Sequence, residues 1–469
     1  CDQSDFKQVM ASAVAKGVKH LFIVWFDGLD WPTTQAAAVA KTGKIYTEGK
    51  GSGLIFQDYD ARGTARFGYY VTSPTVAENV TNVDDQTVVI PAQRTRGGYD
   101  ARIAGPNPWT PGPLFARAPG YLKGQSGDVH DKAGVAAVGG VVHAYTDSST
   151  SAAAFVSGRK AYNNSVNVMD DGTIVRTLFH DVQDQGWKVG TVTSVPFPHA
   201  SPAAMYARNV DRDDYQDIAR DMLGLPSIVV ETGKGPRLPG LDVVMGTGFG
   251  QRASESGLIK AQGRNAVPGS LAITDADKAA IDVERGGRYV VVQTQPGVNG
   301  AQALAKAATR AAQGGHRLFG LYGSKNFTHL PYRTADGRFD PAPDLNGKAE
   351  SYTPDDVLSQ PTLADMTNAA LTVLAAKPDQ PFALFIEAGD VDFALHANNL
   401  DNAVGAVHSG EAAIQAVIAW VEAHSDWNES AMVVAADHGH YLVIDDLNAL
   451  AGAANQAAAT PATAAAAAR

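Results

Sequence analysis

The sequence predicts an α/β fold with a large, mostly parallel central sheet and helices on both of its faces. Apolar runs with the length of buried strands alternate with segments of helical periodicity, an order typical of parallel sheets. Apolar residues make up 45% of the 469 residues, which favours a globular chain over a disordered one. Asp27, Glu387 and Asp437 each come directly after a strand-like run, at the edge where such sheets bind ligands.

The predicted strands are short and strongly apolar. Leu21–Phe26 contains no polar residue, which is typical of a strand that is buried on both faces. The complete set of predicted strands is Leu21–Phe26, Lys188–Val195, Leu241–Met245, Arg288–Gln293, Phe382–Ile386 and Ala431–Ala435.

Two of the intervening segments have clear helical periodicity. In Leu363–Leu374 and in Glu411–His424 the apolar residues recur at spacings of three and four. Such spacings place them on one face of a helix, and we expect that face to cover the sheet.

We expect a single domain over residues 1–469, with loop-rich insertions. Residues 46–135 are rich in Gly, Pro, Thr and Asn and are predicted to form an insertion near the site, and the polar residues 325–360 a surface insertion. Residues 451–469 are an Ala-rich, low-complexity tail. Three interpretations of the tail are open: a helix with no face to bury, a disordered end, or alanine written for unidentified side chains.

The net charge of −11 argues against a nucleic-acid-binding surface. A small anionic substrate remains compatible with it, provided that metal ions reverse the sign of the charge locally. The apolar runs are shorter than the ~20 residues that a membrane-spanning helix needs.

The single cysteine, Cys1, excludes an internal disulfide. A chain that begins with Cys rather than Met resembles a processed bacterial lipoprotein. We therefore expect an extracytoplasmic protein, periplasmic or at the cell surface, with a lipid anchor on Cys1. The alternative is that Cys1 marks only the boundary of the given sequence.

The pair Asp147-Ser148 follows an apolar run, Val138 to Ala144, and precedes small residues that favour the start of a helix. A serine at a strand-to-helix turn has an exposed hydroxyl, and the nearby backbone N–H groups favour an anion. Ser148 is therefore a candidate nucleophile toward phosphorus.

A second candidate segment carries carboxylates at Glu387, Asp390 and Asp392 and an imidazole at His396. Asp392 and His396 are four residues apart, so on a helix they share a face. Carboxylate oxygen together with imidazole nitrogen suits zinc. The alternative is a solvated acidic loop with a capping role.

A third segment, Asp437-His438-Gly439-His440, follows a buried strand directly. Folding alone gives little reason for Asp and His at that place, which favours a pair of metal ligands. A lone His there would more often be a core or surface residue.

A fourth segment holds His199 and Ser201, with Arg212 further along the chain. Ser201-Pro202 also fits a helix start with Ser as the N-cap, which explains Ser201 but not His199. A guanidinium such as that of Arg212 can bind two phosphate oxygens at once.

Together these segments resemble the alkaline phosphatase family, because its motifs occur here in the same order over residues 21–440. The motifs are Asp27-Gly28, Asp147-Ser148, His199-Ala200-Ser201-Pro202, Glu387 with Asp392 and His396, and Asp437-His438.

The resemblance implies hydrolysis of small phosphate monoesters to inorganic phosphate through a phosphoserine on Ser148, with an alkaline pH optimum. It implies two Zn²⁺ and one Mg²⁺, and it assigns Arg212 to the phosphate oxygens. The implied ligands are Asp392 and His396 for the first zinc, Asp27, Ser148, Asp437 and His438 for the second, and Asp27, His199, Ser201 and Glu387 for magnesium.

The sequence departs from the family pattern at the first zinc, because no histidine follows His440. Three interpretations compete: the C-terminal segment is missing or misassigned, His440 or His130 substitutes, or the first site is weak. The unusual composition of the tail favours the first of them. The sequence leaves open the physiological substrate, the identity of the metals in vivo and whether the protein is a homodimer.

Rival functions remain open. A phosphodiesterase of the same superfamily is the nearest alternative, and a weakly active metal- and phosphate-binding protein is another. A sulfatase is disfavoured, because its modified nucleophile is followed by Pro and Arg where this chain has Thr150 and Ala152.

Overall fold

A computed structural model describes residues 2–94, 96–97, 144–251, 261–324, 328–344, 347–440, 442 and 444–459. Cys1, His130, most of the apolar run before Ser148 and the later part of the 46–135 insertion lie outside the described residues.

A seven-stranded sheet organises the described residues, and every strand pairing in it is parallel. The strand order across it is β11-β1-β10-β4-β5-β7-β6, which confirms the predicted parallel α/β architecture. The strands of this sheet are β1 (His20–Phe26), β4 (Lys188–Pro196), β5 (Val243–Thr247), β6 (Tyr289–Gln293), β7 (Arg317–Tyr322), β10 (Phe382–Ala388) and β11 (Ser430–Ala435). Two small antiparallel pairs join β2 (Val80–Asn82) to β3 (Thr87–Val89) and β8 (Ala342–Pro343) to β9 (Ala349–Glu350).

Helices lie between the strands, and short 3₁₀ turns occur at Gln3–Asp5 and Val283–Arg285. The α-helices are α1 (Phe6–Ala15), α2 (Trp31–Thr42), α3 (Ile55–Asp58), α4 (Ser148–Ser157), α5 (Leu178–Gln183), α6 (Ala200–Ala204), α7 (Tyr215–Leu223), α8 (Ile228–Glu231), α9 (Asp275–Ile281), α10 (Gly300–Gly314), α11 (Pro354–Ser359), α12 (Leu363–Leu374), α13 (Asp390–His396), α14 (Leu400–His424) and α15 (Leu447–Ala459).

The sheet has a hydrophobic core on each face, as the alternation of side chains along β1 shows. Phe22, Val24 and Phe26 belong to one core, which contains residues of α10, α12 and α14. Leu21, Ile23 and Trp25 belong to the other, which contains residues of α4, α6 and α7. Successive side chains of a strand point to opposite faces, so a strand between two helical layers is apolar throughout.

The carboxyl ends of β1, β10 and β11 meet at one edge of the sheet. Trp25 is in register with Glu387 on one side and with Ala435 on the other. Asp27 and Asp437 follow these strands by one and two residues. The sheet therefore brings the three acids predicted at strand ends to a common edge.

The sequence missed strand β7, which lies between β5 and β6. It begins with Arg317, and Gly320 divides its apolar residues. A Cβ at Gly320 would lie 2.8 Å from the Met245 side chain, so close packing favours glycine there, and glycine weakens the strand signal. The strand predicted at Leu241–Met245 is displaced and runs instead over Val243–Thr247.

The described part of the first insertion, residues 46–94, contains α3 and the β2–β3 hairpin. It also carries Tyr70, whose hydroxyl accepts a hydrogen bond from Ala436 N at 2.7 Å and donates one to Ala436 O. Ala436 directly precedes Asp437. The insertion therefore contacts the chain next to a candidate metal ligand.

The 325–360 segment is polar in composition, yet several of its residues are buried. Leu330, Tyr332 and Ala342 belong to the hydrophobic core under the sheet. The segment is therefore anchored by apolar side chains.

Helix α14, at 25 residues, is long and apolar enough to cross a membrane by length and composition alone. However, 61% of its apolar window is buried inside the protein, where it packs against β1, β10 and α12. The Ala-rich tail begins within α15, which packs against α2 and buries Ala451, so this part of the tail has a face to bury.

Candidate active site

Ser148 is the first residue of α4 and is 4% exposed. Asp147 is the N-cap of this helix, and its carboxylate accepts hydrogen bonds from the backbone N–H groups of Ser149 and Thr150. These amides, which we expected to be available for an anion, are therefore already bonded to Asp147. The cap fixes the direction of the turn that carries Ser148.

The Ser148 hydroxyl lies close to an acid and an imidazole. Its Oγ is 3.4 Å from Asp27 Oδ1 and 3.3 Å from His438 Nε2. His438 Nε2 is also 3.1 Å from Asp437 Oδ2. Asp27, Asp437 and His438 each offer a ligand atom within 4.8 Å of the others, a spacing that fits one cation.

A second group of possible ligands is centred on Asp392. His440 Nε2 is 2.5 Å from Asp392 Oδ1, and His438 completes a set within 4.8 Å. His396, one helical turn along α13, has its Nε2 3.5 Å from Asp392 Oδ2, and its side chain is 68% exposed. The structure therefore brings His440, which the sequence left as one of several options, to the acid of the first predicted zinc site.

A third group consists of Asp27, His199 and Glu387, all buried and within 4.8 Å of one another. Glu387 Oε2 accepts a hydrogen bond of 2.5 Å from Thr193 Oγ1. Ser201 is fully buried and lies beside Glu387. It is the second residue of α6, whose N-cap is His199, so the alternative interpretation of Ser201 as an N-cap is wrong.

Several polar atoms of these groups are buried and have no hydrogen-bond partner among the described residues. They are Asp27 Oδ2, His199 Nδ1, Glu387 Oε1 and Asp437 Oδ2, the last of which is close to His438 Nε2 but forms no hydrogen bond with it. Orphaned buried oxygens are costly and rare, and a bound divalent cation would satisfy them. The residues present therefore fit the implied metals.

Burial of several acids close together raises the pKa of two of the carboxyl groups. Burial, opposed by a hydrogen bond from Thr193 and reinforced by Asp437, raises the pKa of Glu387 to about 8. Burial and the neighbouring acids Asp437, Asp392 and Glu387 raise the pKa of Asp27 well above its usual value. Nearby cations would reverse both effects, because they stabilise the charged carboxylates.

Arg212 lies at the margin of the third group, with its guanidinium divided between two partners. Nη1 is 3.0 Å from Asp147 Oδ2, and Nη2 is 3.1 Å from His199 Nε2. The side chain is 17% exposed. Sequence reasoning did not single out Asp147 as the anchor of Arg212, although its position next to Ser148 was a usable signal.

The structure thus gathers the predicted site residues at one edge of the sheet. They are Asp27, Ser148, His199, Ser201, Arg212, Glu387, Asp392, His396, Asp437 and His438.

A family model described as alkaline phosphatase matches residues 131–467 of the sequence. The chain belongs to the alkaline phosphatase family. The match includes all the site residues except Asp27, which the sheet places beside Asp437 and Glu387.

Similar proteins of this family come from several bacteria. Streptomycin-6-phosphate phosphatase of Streptomyces griseus is 26% identical over 63% of this chain and 61% of its own length. Alkaline phosphatase H of Pseudomonas aeruginosa is 27% identical over 63% and 57%, and alkaline phosphatase of Escherichia coli is 26% identical over 63% and 58%. The matched region spans about three fifths of the length of these curated relatives.

Among solved structures, the alkaline phosphatase of Thermus thermophilus is 21% identical, with a TM-score of 0.49 over 90% of this chain and 60% of that one. The alkaline phosphatase of the Antarctic bacterium TAB5 is 15% identical, with a TM-score of 0.44 over 90% and 79%.

Proposed function

We propose that the chain hydrolyses phosphate monoesters, with Ser148 as the nucleophile that becomes phosphorylated. Membership of the alkaline phosphatase family supports a phosphatase. The observation that carries the proposal is the position of Ser148 Oγ, 3.4 Å from Asp27 and 3.3 Å from His438, beside buried acid oxygens without partners.

The three groups of side chains would hold two Zn²⁺ and one Mg²⁺, with cobalt or manganese as alternatives at the first two sites. Asp392 and His396 would hold the first ion, and His440 lies close enough to take part. The proposed ligands of the second ion are Asp27, Ser148, Asp437 and His438, and those of the third are Asp27, His199, Ser201 and Glu387.

Bound cations would supply Lewis-acid stabilisation of the entering and leaving oxygens of an in-line displacement. Ser148 Oγ attacks phosphorus, a bond forms between them, and the ester oxygen leaves as the alcohol. Water then cleaves the phosphoserine and releases inorganic phosphate. Arg212, held by Asp147, would donate hydrogen bonds to non-bridging oxygens of the phosphoryl group, which stay on phosphorus throughout the transfer.

The alkaline pH optimum is part of this proposal, because hydroxide is the nucleophile that would cleave the phosphoserine and its fraction rises with pH. A lipid anchor, an extracytoplasmic location and a homodimer stay predictions that the described residues do not test.

The decisive test compares hydrolysis of p-nitrophenyl phosphate and of its bis ester by the zinc- and magnesium-loaded chain. We expect faster turnover of the monoester, and a loss of at least about a thousandfold in Ser148→Ala, because covalent catalysis then has no nucleophile.

Ser157→Ala provides the matched control, since Ser157 lies on the same helix α4 but at its far end. This control should retain normal turnover. Equal rates for Ser148→Ala and the wild type would contradict the proposal, and faster cleavage of the bis ester would favour a phosphodiesterase.

A further inference from the structure

One hydrogen bond in the site involves a residue that is also a candidate metal ligand. Arg212 Nη2 lies 3.1 Å from His199 Nε2, and His199 is one of the three side chains grouped at the third cation site. His199 is 4% exposed, so water has little access to its ring. The edges of the Tyr215 and Phe393 rings flank it, with ring centroids 6.3 Å and 5.8 Å away.

The chemistry of the two groups allows only one form of this hydrogen bond. A guanidinium has donors and no acceptor, so His199 Nε2 must accept. A neutral imidazole has one lone pair for accepting, and its other nitrogen carries the proton. In the described structure the lone pair of His199 is therefore used by Arg212, and Nδ1 carries the proton.

A metal ion bound by His199 would need the same lone pair. If Nε2 were the ligand, Arg212 would be displaced directly. If Nδ1 were the ligand, the proton would move to Nε2 and face the donor of Arg212. A doubly protonated ring has no lone pair for either partner. The two interactions exclude each other in every case.

We infer that Arg212 and the third cation compete for the lone pair of His199, so that Arg212 weakens cation binding until phosphate draws its Nη2 group away. The inference rests on the proposed function, which supplies both the cation and the phosphate. Nη1 remains bound to Asp147, 3.0 Å away, while the second arm of the fork is released to a phosphate oxygen. Phosphate and the third cation should then each strengthen the binding of the other by the same factor.

A calorimetric titration of Mg²⁺ into the protein preloaded with two equivalents of Zn²⁺ tests the competition. The variant is Arg212→Lys, because an ammonium keeps the positive charge but lacks the planar fork that reaches Asp147 with one nitrogen and His199 with the other. We expect Mg²⁺ to bind about tenfold more tightly to the variant, equivalent to about 1.4 kcal/mol, the size of one net hydrogen bond.

Glu387→Gln is the control that shows which part of the heat comes from Mg²⁺ binding at the third site, since Glu387 belongs only to that group. Equal affinities, within twofold, in the wild type and in Arg212→Lys would overturn the inference. It would also fail if no Glu387-dependent Mg²⁺ binding were seen in either protein. Neither result would bear on the Ser148→Ala test of hydrolysis, so the two failures are distinguishable.

The second measurement repeats the titration with inorganic phosphate present. Direct attraction between phosphate and cation acts in both proteins, whereas release of the His199 lone pair acts only in the wild type. We therefore expect phosphate to tighten Mg²⁺ binding several-fold more in the wild type than in Arg212→Lys. The same tightening in both proteins would overturn the inference.

A readout on the wild type alone covers the case in which Arg212→Lys does not fold. Nitrogen-15 NMR of histidine, with His199 assigned by its loss in His199→Gln, reports which ring nitrogen carries the proton. Without cation or phosphate we expect Nδ1 to be protonated and Nε2 to accept a hydrogen bond. A proton on Nε2 in that state would contradict the inference.

Discussion

Two buried charged regions of this protein differ in how their charges are satisfied. In one, the Arg208 guanidinium holds both oxygens of Asp221 at 2.9 and 2.8 Å, and Ser227 and the Arg208 amide add further hydrogen bonds. In the other, Asp27, Glu387 and Asp437 face one another, and each has an oxygen without a partner among the described residues.

The difference separates charge that stabilises the fold from charge that is available to a ligand. A buried ion pair with complete hydrogen bonding is satisfied by the chain itself. Acids that lack such partners remain costly until a cation arrives. Several buried carboxylates that lie together and lack partners, more than burial alone, mark the site.

The largest expected effect comes from removing one of the unsatisfied acids. In the wild type, Asp437 Oδ1 accepts a hydrogen bond of 2.8 Å from Gly28 N. Asp437→Asn keeps an oxygen for that bond but removes one negative charge from the cluster of acids. We expect phosphatase activity to fall at least about a thousandfold, beyond the 10- to 100-fold of an outer partner. The melting temperature in EDTA should be unchanged or higher, because repulsion with Asp27 decreases.

Activity assays on the metal-loaded protein and thermal melts in EDTA check both parts. Normal activity of the variant, or a melting temperature in EDTA far below that of the wild type, would contradict the assignment of Asp437 as an acid that needs a cation.

The same substitution in the satisfied region should have the opposite result. Asp221→Asn leaves the buried Arg208 without a counter-charge, and we expect the free energy of unfolding to drop by about 3–5 kcal/mol. The activity of the molecules that remain folded should not change. Urea unfolding together with activity per folded molecule measures this, and unchanged stability would show that Arg208 finds other partners.

The smallest effect is expected from His180, a buried imidazole that the chain also satisfies. Its Nδ1 accepts from Thr177 N and its Nε2 donates to Tyr206 O. Burial, partly opposed by the Tyr206 carbonyl, lowers the pKa of His180 to about 4.

The unfolded chain therefore binds a proton, near pH 6.5, before the folded one does, and stability should fall as the pH drops from 6.5 to 4. His180 contributes about 3 kcal/mol to this fall. The difference between wild type and His180→Gln in urea unfolding at pH 7 and pH 4, both in EDTA, isolates it. Identical pH dependence in the two proteins would contradict the assignment.

Much of the fold and the site was predictable because both depend on local patterns. Apolar runs between helical segments predicted the parallel sheet, and the edge rule then placed Asp27, Glu387 and Asp437 together. The grouping of the remaining site residues and the role of each came from the resemblance to the alkaline phosphatase family.

What the sequence could not provide are the contacts that depend on tertiary packing. The division of Arg212 between Asp147 and His199 joins three separate segments. The approach of His440 to Asp392 joins two more. No local period or spacing encodes either contact.

Tyr70 contacts the chain just beyond the end of an edge strand of the sheet. Among the strands that the structure describes, β11 is the last on its side, and an edge strand presents backbone groups that can pair with another molecule. Just beyond its end, the phenol of Tyr70 engages both the N–H and the carbonyl of Ala436. At that residue a side chain occupies both backbone hydrogen-bonding groups, so neither of them is available to a strand of another molecule.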